Sequence, residues 1–311
     1  MPAALLASGA SFLRCDRQDH PALLPTLAGL GPPPDLLVDA AAYTAADAAA
    51  LLPIAREAGS VVFLSTKAVY VDGAGRTVNS DQPPEYGVPI AESQPTVAPR
   101  SDVHFDTAEG YAVNKVAAEQ AYLASGAPVT VLRPSKVHGA GSRRPREWMY
   151  VKRVLDRRPA VFLAGRGAGV DHPSAAANIA AVIETVAAMP AARVLNAADP
   201  DAPTVLEITR AIARHLGHDW DEVLLDADTA GELGRNPWQH PSPIVLDVSA
   251  ALALGYRPAG TYAETVTEEI DWLVSAQAGG VDAWMVPAPD DEFFASLLDY
   301  TAEDAYLEAR G

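Results

Sequence analysis

The sequence predicts an α/β fold, a parallel sheet covered by helices, joined to a smaller second lobe. Three observations carry this. In the first half, short apolar runs alternate with helix-like runs, the pattern of strands linked by crossover helices. Polar residues appear where apolar runs stop, at Ser65-Thr66 and at Pro134-Ser135, the strand ends where open α/β sheets gather ligands. After Asn196-Ala-Ala-Asp-Pro200 the texture changes to short elements and Pro-rich loops.

Taken in order, residues 11–15 read as a strand ending at Asp16. Residues 21–30 read as a helix, with Asp19 or His20 near its cap and Pro21 in its first turn. Residues 35–39 read as a buried strand, 45–58 as a helix and 60–64 as the next strand. Residues 71–108, rich in Gly, Pro, Asp and Ser, read as a long excursion of the kind that is usually functional. A helix opens near Tyr111 and runs to about residue 125, with Gly126 as its cap. Strands at 129–132 and 160–163 flank a helix at 147–156. Then come a helix at 175–189, a strand at 193–195, an amphipathic helix at 203–216 and another helix at 263–275. The acidic last 25 residues read as a helix packed on the core. The sheet domain is placed at 1–136 and 166–197, and the substrate lobe at 137–165 and 198–311.

Bulk properties narrow the function. With 311 residues and 49% hydrophobic content, the chain can bury a substantial core. A formal charge of −17 argues against nucleic acid, whose phosphates demand clustered Lys and Arg, and against anionic lipid. The single Cys15 excludes an internal disulfide and a thiolate zinc cage, as suits a reducing cytosol. The first twelve residues lack a basic leader region, and no apolar run is long enough to span a bilayer. The expectation is a cytoplasmic protein with a small-molecule substrate. His104, Asp102 and Asp106 cluster loosely but lack a fourth ligand, so no metal site is expected.

The most telling residues are Tyr111 and Lys115 in Gly110-Tyr-Ala-Val-Asn-Lys115. Four apart on a helix, they share a face. An ammonium near a phenol favours the phenolate, making Tyr111 a candidate general acid/base. They follow Ser65-Thr66 by about 45 residues, the strand-then-helix order such a site needs.

Four segments, in this order, carry a resemblance: Phe63-Leu-Ser-Thr-Lys-Ala-Val-Tyr70, Tyr111-Ala-Val-Asn-Lys115, Val131-Leu-Arg-Pro-Ser-Lys-Val-His-Gly139 and Val194-Leu-Asn-Ala-Ala-Asp199. The chain resembles the extended short-chain dehydrogenase/reductases, the NAD-dependent epimerase/dehydratase family, over roughly residues 12–275. The resemblance implies a Rossmann-like doubly wound sheet and a reductase or epimerase acting on a carbonyl or secondary alcohol. NAD or NADP is the implied cofactor, and a homodimer the implied assembly. Thr66 would hold the substrate oxygen, Tyr111 would pass the proton, and Lys115 would tune Tyr111 and hold the nicotinamide ribose. Asp16 and Ala40, Ala41 and Ala42 would flank adenine and ribose, with Pro134 and Ser135 also at the cofactor. Ser65, Lys67, His138, Arg143 and Trp148 are candidate substrate contacts. Arg143, Arg144, Arg146 and Glu147 lie in a stretch that reads equally as an anion clamp or a solvated loop. His172 reads as a structural histidine.

The sequence departs from the family in two places. The family's sugar dehydratases carry an acid where this chain has Lys67, which disfavours dehydration. The opening strand, Gly-x-x-Gly-x-x-Gly turn and helix are not in these 311 residues, which start where the family's third strand would. Cofactor binding is therefore expected to be weak or lost. Two alternatives stay open on the same fold: a redox-neutral lyase or isomerase, and a cofactor-free binding protein.

Overall fold

Ser60–Leu64 is the strand that places the candidate chemistry, because its C-terminal end leads directly into Ser65-Thr66. The computed structural model describes Leu5 and residues 7–228, 230–280, 282–287 and 291–310. The chain divides into two compact units. The first holds residues 1–65, 98–131 and 186–193, and the second holds 66–97, 132–185 and 194–311.

In the first unit, helix α1 (His20–Ala28) starts at Asp19, whose side chain accepts the Ala22 amide. Strand β1 (Leu36–Asp39) pairs in parallel with β2 (Ser60–Leu64), Leu36 opposite Ser60 and Asp39 opposite Phe63. Helix α2 (Ala45–Ala55) crosses between them. Thr44 and Asp47 form its capping box, each side chain closing on the other's amide. Helix α3 (Ala108–Leu123) packs on α2 and opens at Thr107, which accepts the Gly110 amide. Gly110 has a steric reason to be glycine: a Cβ there would stand 1.9 Å from the His104 carbonyl oxygen. The helix bearing Tyr111 can thus lie against the end of the preceding excursion.

Strand β3 (Val129–Pro134) is buried along its whole length. After β4 (Lys136–His138) come α4 (Trp148–Leu155), β5 (Ala160–Leu163), β6 (Pro173–Ala175), α5 (Ala176–Ala187) and β7 (Arg193–Ala197). The main sheet has the order β1-β2-β3-β7. The expected strand at 11–15 does not form. Those residues are irregular and largely exposed, with Phe12 at 70%. An apolar run becomes a strand only beside a neighbour that takes its amides and carbonyls. Among the described residues β1 therefore ends the sheet order, flanked in it only by β2.

The second unit adds α6 (Val205–His215), β8 (Asp221–Leu224), α7 (Ser249–Ala253), α8 (Tyr262–Gln277), α9 (Glu292–Ala295) and α10 (Thr301–Glu308). Two small parallel pairs, β4 with β6 and β5 with β8, brace it. Its core draws on helix faces at three- and four-residue spacing. Val205, Ile208 and Ile212 of α6 meet Tyr262, Val266, Ile270 and Leu273 of α8. Trp148, Tyr150 and Val151 of α4 complete it with Phe294. The acidic tail is two short helices rather than one. Phe294 is buried, and Arg153 reaches Glu303 at 2.7 Å. Residues 66–97, which include the start of the predicted excursion, hold a single 3-10 turn at Lys67–Val69 and isolated bridges, Tyr70 with Thr96 and Ile90 with Leu246. No described helix is long and apolar enough to cross a membrane.

Candidate active site

Lys115 is the best-defined functional side chain of the first unit. It is buried at 3% exposure. Its ammonium donates to the Ala42 carbonyl at 2.7 Å and the Leu64 carbonyl at 2.9 Å, just beyond β1 and at the end of β2. It also sits over the rings of Tyr43, at 4.8 Å, and Phe63, at 5.0 Å. Burial pulls its pKa down to about 8, against the opposing pull of the Asp39, Glu119 and Asp47 charges. Two of the three ammonium N–H groups are thereby used.

Tyr111 is partly exposed in the first turn of α3. Its ring stands 6.3 Å from that of Tyr43, which in turn stacks on Phe105 at 4.9 Å. Tyr43 thus touches the surroundings of both Tyr111 and Lys115, and nothing in its local sequence signals that role. His104, exposed, extends the same stack, and its Nδ1 accepts the Asp106 amide.

The other predicted cofactor contacts of this unit differ among themselves. Ala40 and Ala41 are exposed and Ala42 is buried. The Ala41 and Ala42 amides donate to the Asp39 carboxylate at 3.1 and 3.0 Å. Asp39 also accepts from Arg17 at 2.9 Å and from the Tyr122 hydroxyl at 2.5 Å. Asp16 does not end a strand; it is an exposed turn residue that accepts the Gln18 amide. The first turn of α2 is closed internally, because Asp47 takes the Tyr43 and Thr44 amides at 3.0 Å each. Those amides are not free for a phosphate. Ser65 is buried and donates to Glu119. The residues present fit the ribose end of a nicotinamide cofactor, through Lys115. Among the described residues the N-terminus of α2 does not offer a pyrophosphate cradle.

In the second unit Thr66 caps the 3-10 turn, accepting the Ala68 amide at 3.2 Å. Lys67 is buried and ion-paired with Asp171. Asp171, itself 1% exposed, also meets Lys136 at 3.2 Å, the His240 imidazole at 3.1 Å and the Ser135 hydroxyl at 3.3 Å. Burial, then the Lys136 and Arg146 charges, push the Lys67 pKa far below the usual lysine value. Burial and Arg146 bring Lys136 down to about 7. Burial and the two lysines bring His240 to about 4. One carboxylate thus faces two lysines and an imidazole whose charged forms burial disfavours. Lys136, Asp171 and His240 come from three distant segments, so spacing could not reveal them.

The remaining candidates divide. Pro134 is buried, and the Ser135 amide donates to the Ser174 hydroxyl at 3.0 Å. Arg143 is exposed. Trp148 is a core residue at 1% exposure, since the first turn of an amphipathic helix turns its large apolar group inward. His138, at 2% exposure, is held by Asp199 at 2.9 Å and is not presented to solvent. His172 is structural: its Nε2 bonds the Asp199 carbonyl and its Nδ1 accepts the Leu246 amide.

No protein-family model matches the chain, and no curated protein matches it. Solved structures do. A dTDP-glucose 4,6-dehydratase from Bacillus anthracis in complex with NAD is 17% identical, with a TM-score of 0.60 over 86% of this chain and 81% of that one. The dehydratase DesIV from Streptomyces venezuelae, with NAD and DAU bound, is 20% identical, with a TM-score of 0.60 over 89% and 85%. A UDP-glucuronic acid 4-epimerase from Bacillus cereus in complex with NAD is 16% identical, with a TM-score of 0.60 over 87% and 83%. The chain therefore shares the Rossmann-like α/β fold of these NAD-bound epimerase and dehydratase structures.

Proposed function

We propose that this protein is an NAD(P)-dependent reductase or epimerase acting on a carbonyl or secondary alcohol of a sugar nucleotide or similar small molecule. The observation that carries the reading is the placement of Lys115. One helical turn beyond Tyr111, its ammonium is fixed by carbonyls at the ends of two adjacent parallel strands. That is the edge of an open α/β sheet where ligands collect. Tyr111 passes the proton to or from the substrate oxygen. Lys115 holds the ribose through its remaining N–H and favours the phenolate electrostatically. Thr66 positions the substrate oxygen with its hydroxyl. The cofactor supplies the hydride acceptor or donor. Lys67 in place of an acid favours epimerisation or reduction over dehydration. A cytoplasmic homodimer is part of the same proposal.

The test is a titration of NAD+, NADH, NADP+ and NADPH into the purified chain, followed by turnover assays with UDP- and dTDP-sugars. Tyr111→Phe should bind the same cofactor as the wild type and lose turnover by about 100-fold or more. Full turnover in Tyr111→Phe would refute the assignment of the proton. Turnover without any nicotinamide cofactor would move the reading to a redox-neutral lyase or isomerase.

A further inference from the structure

His138, Glu147 and Glu269 bring three electron-pair donors to one buried spot of the second unit. The potential ligand atoms all lie within 4.8 Å of one another, and all three residues are buried. His138 closes β4, Glu147 precedes the first turn of α4, and Glu269 lies in α8. They are 2%, 2% and 0% exposed. Two of their atoms lack any hydrogen-bond partner, His138 Nδ1 and Glu269 Oε1.

The imidazole is oriented as a ligand would be. Its Nε2 lies 2.9 Å from Asp199 Oδ2. Asp199 also accepts the Ala175 amide at 2.6 Å and the Asn178 amide at 2.8 Å. With Asp199 already accepting from these two amides, its bond to Nε2 takes the imidazole N–H, which leaves Nδ1 as the nitrogen with the lone pair. Metal-bound histidines almost always have such a carboxylate or carbonyl on the far nitrogen.

Opposite Nδ1 stand acceptors. Glu269 Oε2 is 3.8 Å away, too far for a hydrogen bond, and takes the Gly139 amide at 2.8 Å. Glu147 Oε1 takes only a long bond, 3.3 Å, from the Tyr262 hydroxyl. A lone pair and two buried carboxyl groups converging on one spot favour a positive centre among them. Arg146 is near enough to be felt by Glu269, but its Nη1 is turned to the Val137 carbonyl at 3.3 Å.

We propose that His138 Nδ1, Glu147 and Glu269 form a binding site for one divalent transition-metal ion of the zinc type, with Asp199 positioning the histidine. The donor set suits it, one imidazole nitrogen and two carboxylate oxygens, the combination that recurs in zinc sites with an open fourth position. Zinc bonds of about 2.0–2.1 Å hold neighbouring ligands roughly 3.3 Å apart, so one glutamate must rotate inward to close the set. The ion ties the 139–147 loop, which carries Arg143 and Arg146, to helix α8.

Because the site is sealed, metal should enter during folding. The full chain is produced in zinc-supplemented medium, desalted without chelator and assayed by elemental analysis. It is also refolded with Co2+ and examined for visible d–d absorption. The expected result is one equivalent of zinc per chain in the wild type and a cobalt spectrum of low symmetry. Both should fall to background in Glu269→Gln and Glu147→Gln, while Arg143→Ala, on the same loop but outside the donor set, keeps them. Should a glutamine variant fail to fold, the wild-type stoichiometry and cobalt spectrum decide the question. Wild-type protein free of metal by both routes would overturn the proposal, leaving a proton shared by Glu147 and Glu269 as the positive centre. Equal retention of metal in the glutamine variants would overturn it too. None of these readouts depends on turnover, so the outcome is independent of the proposed reductase or epimerase activity.

Discussion

Lys115 donates to the carbonyl of Leu64, the residue immediately before Ser65-Thr66. The lysine is thereby fixed to the strand that delivers the candidate oxygen-binding hydroxyl. Lys115→Met removes the ammonium and keeps the aliphatic stem. Turnover should fall by about 100-fold or more. The global melting temperature should change little, because the lost hydrogen bonds are offset by relief from burying a charge. A thermal melt beside a kinetic assay checks both; a collapse of the fold would show that the bonds to Ala42 and Leu64 outweigh the burial cost.

Lys136 makes stability depend on pH. Its folded pKa of about 7 lies below the ordinary lysine value of 10.5. Between these values the unfolded chain holds the proton and the folded one has released it. Stability from this group therefore rises with pH across that window, by no more than about 1.4 kcal/mol per pH unit. Lys115, with its folded value near 8, adds to the rise above pH 8. Urea titrations from pH 7 to 9.5 should show increasing stability in the wild type and a smaller increase in Lys136→Met. An identical slope in the two would contradict the assignment.

The Arg153–Glu303 pair fastens the tail. Arg153 donates to Glu303 at 2.7 Å and to the Met149 and Leu297 carbonyls at 2.9 Å each. Both charged groups are buried. Glu303→Ala strands the guanidinium and should cost about 3–5 kcal/mol in urea unfolding, because an uncompensated buried charge remains. Glu303→Gln, which still accepts, should cost less.

Asp47 tests the self-closed helix. It caps α2 through the Tyr43 and Thr44 amides and meets His20 at 2.9 Å. Burial raises its pKa, and these donors outweigh burial, so the folded value lies below 3.8. The group therefore contributes stability above the unfolded value, lost as pH falls through the folded one. Asp47→Ala should cost about 1–2 kcal/mol at neutral pH. The gap between the two proteins should narrow toward pH 3 in the same unfolding assay.

Where residues act with their neighbours in sequence, the chain was readable in advance. The alternation of apolar runs and capped helices marked β1 to β3 and α1 to α3, and the Tyr-x-x-x-Lys spacing marked the helix of the site. Residues 11–15 show the limit of such reading. Their composition suits a strand, but strand formation depends on a partner that composition does not reveal. Trp148 fails for a related reason. A large aromatic beside arginines reads as a contact surface until tertiary packing turns it inward. The grouping of Lys67, Lys136 and His240 around Asp171, and that of His138, Glu147 and Glu269, join segments up to 173 residues and 131 residues apart. No periodicity connects such positions.

The clamp of Lys115 on two strand ends also has a mechanical side. β1 and β2 are paired over only four residues, and a short parallel pair frays readily at its ends. One ammonium joining the Ala42 and Leu64 carbonyls resists the sliding of one strand past the other, much as a pin resists shear between plates. Amide hydrogen exchange in residues 40–44 and 62–66 should quicken in Lys115→Met while the rest of the sheet keeps its protection. The ammonium proposed to favour the phenolate would then also set how long the floor beneath it stays closed.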